Sequence, residues 1–524
     1  MRSLPCVFFL LLGIWVGARG QSNCDILIRN GKIIDGTGNN WFYGDVAVSG
    51  GKILDIGRSL PYTSSKVIDA QGLVVAPGFI DVHTHIEGDE EKNPEAASFI
   101  YDGVTTVIAG NCGASNLNIG KYLRWVDSIG LSVNVATLVG HNNVRRAVMG
   151  RANRPASAAE VKQMETLVDR AMNEGAVGLS TGLIYIPGTY SETSEVVALA
   201  KVAATYNRVY ASHIRNEGDK VTDAINEAIN VGKMAGLPVQ ISHFKLSGQQ
   251  NWGRSRETLA MVEKAREEGI DVTIDQYPYT ASSTSISTLL PDELLADGQD
   301  SVRARLSRPE VRKKASTQMV ASLKKRRLKH FSYAVVAYYA PDTSFNGRSI
   351  EEINLLMGRK HRARQEAETI MDLQMNGGAS GVFHGMGEED VRRIMQYPFN
   401  MFASDASIRV FNEGMPHPRG YGTNARVLGK YVREEKVLRL EEAIRRMTSL
   451  PAQKFQLKDR GLLKTGMAAD IVIFDEKTVQ DKATFQQPHA YSQGFHYVLV
   501  NGAITVKNGK HNGTRAGKAL YHRR

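Results

Sequence analysis

Cysteine is scarce in this chain, with three among 524 residues. Cys6 falls in an N-terminal apolar stretch, so Cys24 and Cys112 can close at most one disulfide. Long apolar runs are also few. After Pro5 to Val16 no stretch approaches the ~20 residues a membrane-spanning helix requires, which excludes stable insertion by a later segment. Aromatic residues amount to 7%. The basic run Lys324-Lys325-Arg326-Arg327-Leu328-Lys329 has none interleaved and no recognition motif beside it. The formal charge of +11 therefore reads as a solvated basic face, and no nucleic-acid partner is expected.

What the N-terminus does contain is Arg2, the apolar Pro5 to Val16, and Ala18-Arg19-Gly20 before Gln21. That order of charge, apolar core and small residues predicts a signal peptide over residues 1–20, and hence a secreted or secretory-lumen protein. An uncleaved anchor is the alternative, and the run is short for one. In an oxidising compartment two cysteines suggest a disulfide. Cys112, however, lies in Gly110-Asn111-Cys112-Gly113, directly after the strand-like Val104-Thr105-Thr106-Val107-Ile108-Ala109. A thiolate ligand is the favoured reading, with Cys24 left free or superficial. The sequon Asn512-Gly513-Thr514 sits in a polar tail.

Hydrophobic content of 42% and charged content of 23% are those of a globular enzyme. Between Leu73 and Gln456, short β-branched runs alternate with longer amphipathic ones, which predicts repeated βα units. The predicted strands are the Leu73 to Val82 run, Thr105 to Ala109, Val133 to Val139, Val177 to Ser180, Val209 to His213, Val239 to His243, Val272 to Asp275 and Met401 to Asp405. Helices are predicted over Ala158 to Asn173, Glu195 to Thr205, Val221 to Ala235, Arg256 to Glu268 and Glu388 to Gln396. Eight strands with covering helices make an α/β fold, a (β/α)8 TIM barrel, over residues 73–456. The long connection at about 289–353, with the strand-like Phe331 to Tyr339, predicts an insertion at the catalytic rim or a decorative one. Residues 21–72 and 457–524 alternate as hairpins with Asn-Gly and Gly-Lys turns, Asn30-Gly31 among them, and predict one small β-sandwich built from both chain ends.

The rim formed by the strand ends is where barrel active sites lie. His83 and His85, two residues apart at the end of the first strand, project from one face. Cys112, His213, His243 and Asp405 close the second, fifth, sixth and eighth strands. With only 13 histidines in the chain, four at such positions argue against coincidence. Imidazole, thiolate and carboxylate together suit zinc.

At these residues the sequence closely resembles the amidohydrolase superfamily, and within it the N-acyl-D-amino-acid deacylases. The resemblance runs through Gly78-Phe79-Ile80-Asp81-Val82-His83-Thr84-His85, Gly110-Asn111-Cys112-Gly113, Ser212-His213-Ile214-Arg215-Asn216-Glu217, Ser242-His243-Phe244-Lys245, Tyr277-Pro278-Tyr279, Ser404-Asp405 and His417-Pro418-Arg419. His-x-His marks the superfamily alone, and the Cys112 and His243 blocks narrow it. The fourth strand lacks the lysine that bridges two metals in hydantoinase-like relatives. The resemblance implies a tight zinc site of Cys112, His213 and His243, and a second, weaker site of His83, His85 and Asp405. It also implies that Asp405 passes a proton from the attacking water to the leaving amine.

The substrate implied is a small N-acyl amino acid. Arg419 offers its carboxylate two parallel hydrogen bonds and Lys245 adds charge. By the family pattern Tyr185, Tyr277 and Ser283 complete that pocket, although tyrosines at such places also serve as packing. His141 reads as a substrate-orienting or core residue, and His384 as structural near a helix start. Ala406 stands where the family usually has glycine, and the histidine commonly found just before His417 is missing. Both departures bear on acyl and side-chain preference. The alternatives are a hydrolase of other N-acyl amino acids or dipeptide-like amides, and a catalytically silent scaffold, against which the complete donor set argues. Residue types fix neither the hand of the substrate nor the oligomeric state.

Overall fold

A computed structural model describes residues 22–522, so the expected signal peptide lies outside the described residues. Eight strands build the central layer. They are β1 (Phe79–Asp81), β2 (Val104–Ala109), β3 (Asn134–Thr137, continued by Val139–Gly140), β4 (Gly178–Gly182), β5 (Val209–His213), β6 (Val239–Ile241), β7 (Val272–Gln276) and β8 (Asn400–Phe402). Each pairs in parallel with the next. A parallel bridge between Thr84 and Ala406 closes the ring, with Asp405 N donating to the His83 carbonyl and His85 N to the Ala406 carbonyl, each at 2.9 Å. This is the TIM barrel of the sequence reading.

Parallel strands covered on both faces need apolar side chains on both, which is why these segments read as continuous apolar runs. Ile80, Ile108, Ala136, Val209 and Met401, from five strands, meet in one apolar cluster with Val177, which leads into β4, and with Phe455. Side chains from five strands of a ring can meet only inside it. Outside, the helix Val221–Ala235 buries Val221, Ala224, Ile225, Ala228 and Ile229 at helical spacing and stops at Gly236. The helix Ala158–Asn173 begins on a capping box between Ser157 and Glu160. Predicted and observed helices agree within two residues at each end.

The run Leu73 to Val82 is not one strand. Val74–Pro77 pairs antiparallel with Ile471–Phe474, from the other end of the chain, and β1 begins only after Gly78. A Cβ at residue 78 would lie 2.2 Å from the Thr105 side chain, so the crossing from one sheet to the other demands glycine. The nine-stranded mixed sheet that receives Val74–Pro77 combines strands from residues 26–77 and 471–511 around Ile28, Val46, Ile471 and Leu499, and forms the β-sandwich. Asn30-Gly31 is not a hairpin turn. It lies inside the strand Ile26–Ile33 at a register shift, with Asn30 at φ 60°. Cys24 is free but not superficial, being buried with Leu27, Ala47 and Leu60.

The insertion is wider than 289–353. Ala281–Ser285, Ser380–His384 and Ala334–Tyr338 form a three-stranded antiparallel sheet that packs with the helices Pro309–Lys325 and Ala363–Met375 around Leu306, Met319, Phe331 and Ile370. Ala-Ser-Ser-Thr-Ser carries no apolar alternation, which hid its first strand. His384 ends a strand of this sheet, four residues before the helix Glu388–Gln396, and packs against Phe485.

Asp102, at the turn before β2, ties the barrel to later chain. It accepts from Asn424 N, Ala425 N and Ser492 Oγ at 2.7–3.0 Å. Burial pushes its carboxyl up to about 7, against these hydrogen bonds. A folded-state value above the unfolded one means stability is full below about pH 4 and is lost as pH rises through 7. Asn424 N and Ala425 N donate to different oxygens of this carboxyl, so Asp102→Asn turns its amide N–H toward one of them but has no charge to bury. Its thermal stability relative to the parent should therefore rise between pH 4 and pH 8, by at most roughly 4 kcal/mol. A gap that stays constant across that range in melting experiments excludes this cost.

Candidate active site

The six sequence-predicted donors meet at the barrel mouth. Cys112 Sγ lies 3.3 Å from His83 Nε2, 3.4 Å from His213 Nδ1 and 3.6 Å from His243 Nε2, and the last two nitrogens are 2.8 Å apart. Asp405 Oδ1 is 3.2 Å from His85 Nε2 and 3.6 Å from His83 Nε2. His83, His85 and Cys112 form one group whose donor atoms lie within 4.8 Å of one another; Cys112, His213 and His243 form a second, and His83, His243 and Asp405 a third. No disulfide links Cys24 to Cys112.

Backbone geometry aims these side chains. Cys112, His243 and Asp405 have φ of 52°, 36° and 50°, left-handed conformations that residues other than glycine seldom adopt. Each turns the chain sharply just past a strand end. At the Cys112 turn, Asn111 Nδ2 donates to the Val82 and Ile108 carbonyls, and a Cβ at residue 110 would meet the Leu138 carbonyl at 2.2 Å. Strain of this kind persists only where the surroundings over-determine it.

A second ring of carboxylates orients the imidazoles. Glu217 Oε1 lies 3.0 Å from His243 Nδ1 and 3.8 Å from His213 Nε2, so each ring can turn its other nitrogen to the centre. Asp275 accepts from His243 N at 2.7 Å and lies 3.7 Å from His83 Nδ1. Asp81 accepts from the backbone N–H of His83 and of Ser404. None of these three was singled out from the sequence. Asp275 ends a predicted strand and Glu217 follows His213 by four residues, so position alone was the available signal.

The donor chemistry fits zinc, which takes nitrogen, sulfur and oxygen ligands. Burial and then the Asp405 charge push the Cys112 thiol well above its ordinary value, so its thiolate is stable there only with a cation beside it. Burial alone would also raise Asp405. The Arg419 and His83 charges override it and hold this carboxyl well below the usual range.

Arg419 Nη1 lies 2.9 Å from Asp405 Oδ2, and Nη2 donates to the Ser283 carbonyl. Its guanidinium sits 4.4 Å over the Tyr277 ring. The Arg419 Nε and Nη1 hydrogens are buried without a well-aligned acceptor, an arrangement that suits an anion. Lys245 is more committed than expected, since its ammonium bonds Glu217 and approaches His243 Nδ1 at 2.8 Å. Tyr277 presents its ring to the two cations and its hydroxyl to Met386. Tyr185 packs on His213 and bonds Thr284. His141 pairs with Glu195 in the core at 2.7 Å.

Two clefts of about 570 and 270 Å³ open from this centre and share Tyr185, Ser283, Thr284 and Asp405 as walls. A substrate with two arms around one amide has room for both. Ala406 lines the larger cleft.

The amidohydrolase family profile matches residues 66–506. N-acyl-D-glutamate deacylase of Alcaligenes xylosoxydans xylosoxydans is 36% identical over 504 residues, 92% of this chain and 93% of that protein. A crystal structure of D-aminoacylase superposes with a TM-score of 0.82 at 34% identity, covering 95% of this chain and all of that one. N-acyl-D-glutamate deacylase from Bordetella bronchiseptica, in complex with zinc and a phosphonate mimic of the tetrahedral intermediate, gives 0.81 at 34% identity, covering 96% of this chain and all of that one.

Proposed function

Because the chain belongs to the amidohydrolase family, we propose that it is a zinc-dependent hydrolase of N-acyl-D-amino acids, releasing the free D-amino acid and a carboxylate. The observation that carries the reading is Asp405, with one oxygen toward the His83 and His85 imidazoles and the other beside Arg419.

Cys112, His213 and His243 would hold the tighter metal, and His83, His85 and Asp405 a weaker second one. When bound, zinc supplies a water acidified toward neutrality and a Lewis acid for the amide carbonyl. Asp405, kept ionised by Arg419 and His83, accepts the proton of the attacking water. A carboxylic acid with so depressed an affinity gives that proton up readily, and the leaving amine takes it. Arg419, whose Nε–H has no acceptor, binds the substrate carboxylate, and the Tyr277 ring supports that guanidinium. Lys245 acts through Glu217 and His243 and adds positive potential. Tyr185 and Ser283 wall the junction of the two clefts, where the scissile bond belongs.

Purified protein should release amine from N-acetyl-D-amino acids and not from their L-enantiomers, lose this activity on chelation and regain it with zinc. Zinc-bound protein that turns over neither hand supports the silent scaffold instead. Turnover of both hands supports a broader N-acyl hydrolase. The order of Arg2, Pro5 to Val16 and Ala18-Arg19-Gly20 supports export. N-terminal sequencing of the mature protein should begin near Gln21, and a retained Met1 overturns it.

A further inference from the structure

We propose that the inserted layer carries its own structural zinc-class site, built from His330, Glu351, His361 and Glu366 and separate from the barrel centre. One donor atom from each of the four lies within 4.8 Å of the others. His330 Nδ1 is 2.5 Å from Glu366 Oε1 and 3.8 Å from Glu351 Oε1, and His361 Nε2 bonds Glu351 Oε1. The two imidazoles stack at 4.1 Å with their planes 17° apart.

Charge makes this arrangement informative. Among the described residues, the ion-pair contacts of Glu351 and Glu366 are to the two histidines, with no lysine or arginine. Arg359, nearby in sequence, is committed to Thr369 and Asp372. Two carboxylates and two stacked imidazoles thus share a partly buried site with no permanently charged cation among them. One divalent cation fits that set, because it takes imidazole nitrogen and carboxylate oxygen as ligands and cancels two negative charges. Donors at about 2.0–2.2 Å from a tetrahedral ion stand roughly 3.3 Å apart, well within the observed span. The tightest contacts need only small side-chain rotations to open.

The second ring and the anchoring are also present. Glu366 is fully buried and its other oxygen accepts from Phe331 N at 2.7 Å. Glu351 belongs to the first turn of the helix Ile350–Leu356, fixed by the Ser349 and Glu352 capping box. His330 enters the strand Ala334–Tyr338 through a short turn, and His361 lies just before the helix Ala363–Met375. The cation would therefore pin three chain segments that share the insert core.

Elemental analysis of the full chain after zinc loading and gel filtration tests this. His361 is half exposed, so His361→Ala should fold and lose one zinc per chain while its deacylase turnover stays unchanged. Cys112→Ala should keep that same zinc, and the double variant should lose both. Should His361→Ala misfold, His361→Gln and His330→Gln give the same reading. Equal zinc content in the parent and all three histidine variants overturns the site, and loss of turnover in His361→Ala with unchanged zinc does so as well. Because the readout is metal content, it stands whether or not the barrel proves to be a deacylase.

Discussion

Asp405→Asn should lower kcat by about 100- to 10,000-fold, the range that a positioned general acid–base contributes, with a smaller change in KM because Arg419 loses its carboxylate partner. Asparagine keeps the size and one oxygen toward His85 but can neither take the proton of water nor carry it to the amine. Zinc held by Cys112, His213 and His243 should remain, because none of those donors touches the altered atom. Steady-state kinetics and metal content on one preparation separate the two effects. A variant within tenfold of the parent in kcat would falsify the proton-carrying role and leave Asp405 as a ligand only.

Cys112→Ala should have an effect of similar size by a different route. Cys112 Sγ lies within 3.6 Å of nitrogens of three imidazoles at once, so its removal takes a donor from the centre of the cage. The variant should lose its barrel zinc to a mild chelator that leaves the parent loaded. Turnover should fall at least about 1,000-fold, equivalent to the several kcal/mol a Lewis acid supplies at the transition state. Cys112→Ser tests whether a hydroxyl, which does not ionise at neutral pH, can substitute. Full activity with retained zinc in the alanine variant would leave the thiolate without a part in binding.

The sequence carried the donor set because strand ends can be read from apolar runs, and the rim of a parallel barrel collects whatever lies there. Val209–His213 and Val221–Ala235 appear with the bounds expected of them. What escaped was everything that depends on tertiary direction. Glu217 and Asp275 look like any acidic residue near a strand end; that Glu217 meets the His243 imidazole while Asp275 holds the His243 backbone N–H beside His83 Nδ1 is visible only in three dimensions. Lys245 looked free for a substrate because its partner, Glu217, is 28 residues away. The split of Leu73 to Val82 into two sheets followed from a partner strand some 400 residues later, which no local pattern can announce. Asn30-Gly31 has the chemistry of a turn, yet the flanking strand continues through it as a bulge.

The left-handed backbone at Cys112, His243 and Asp405 sets two selection pressures against each other. Such conformations cost on the order of 1–3 kcal/mol apiece, and glycine or asparagine would relieve most of that cost. A population of variants screened for endurance to heat alone would drift toward those residues at these three places, and one screened for turnover would be pulled back. The part of the molecule that reacts thus stands to gain sturdiness from being replaced.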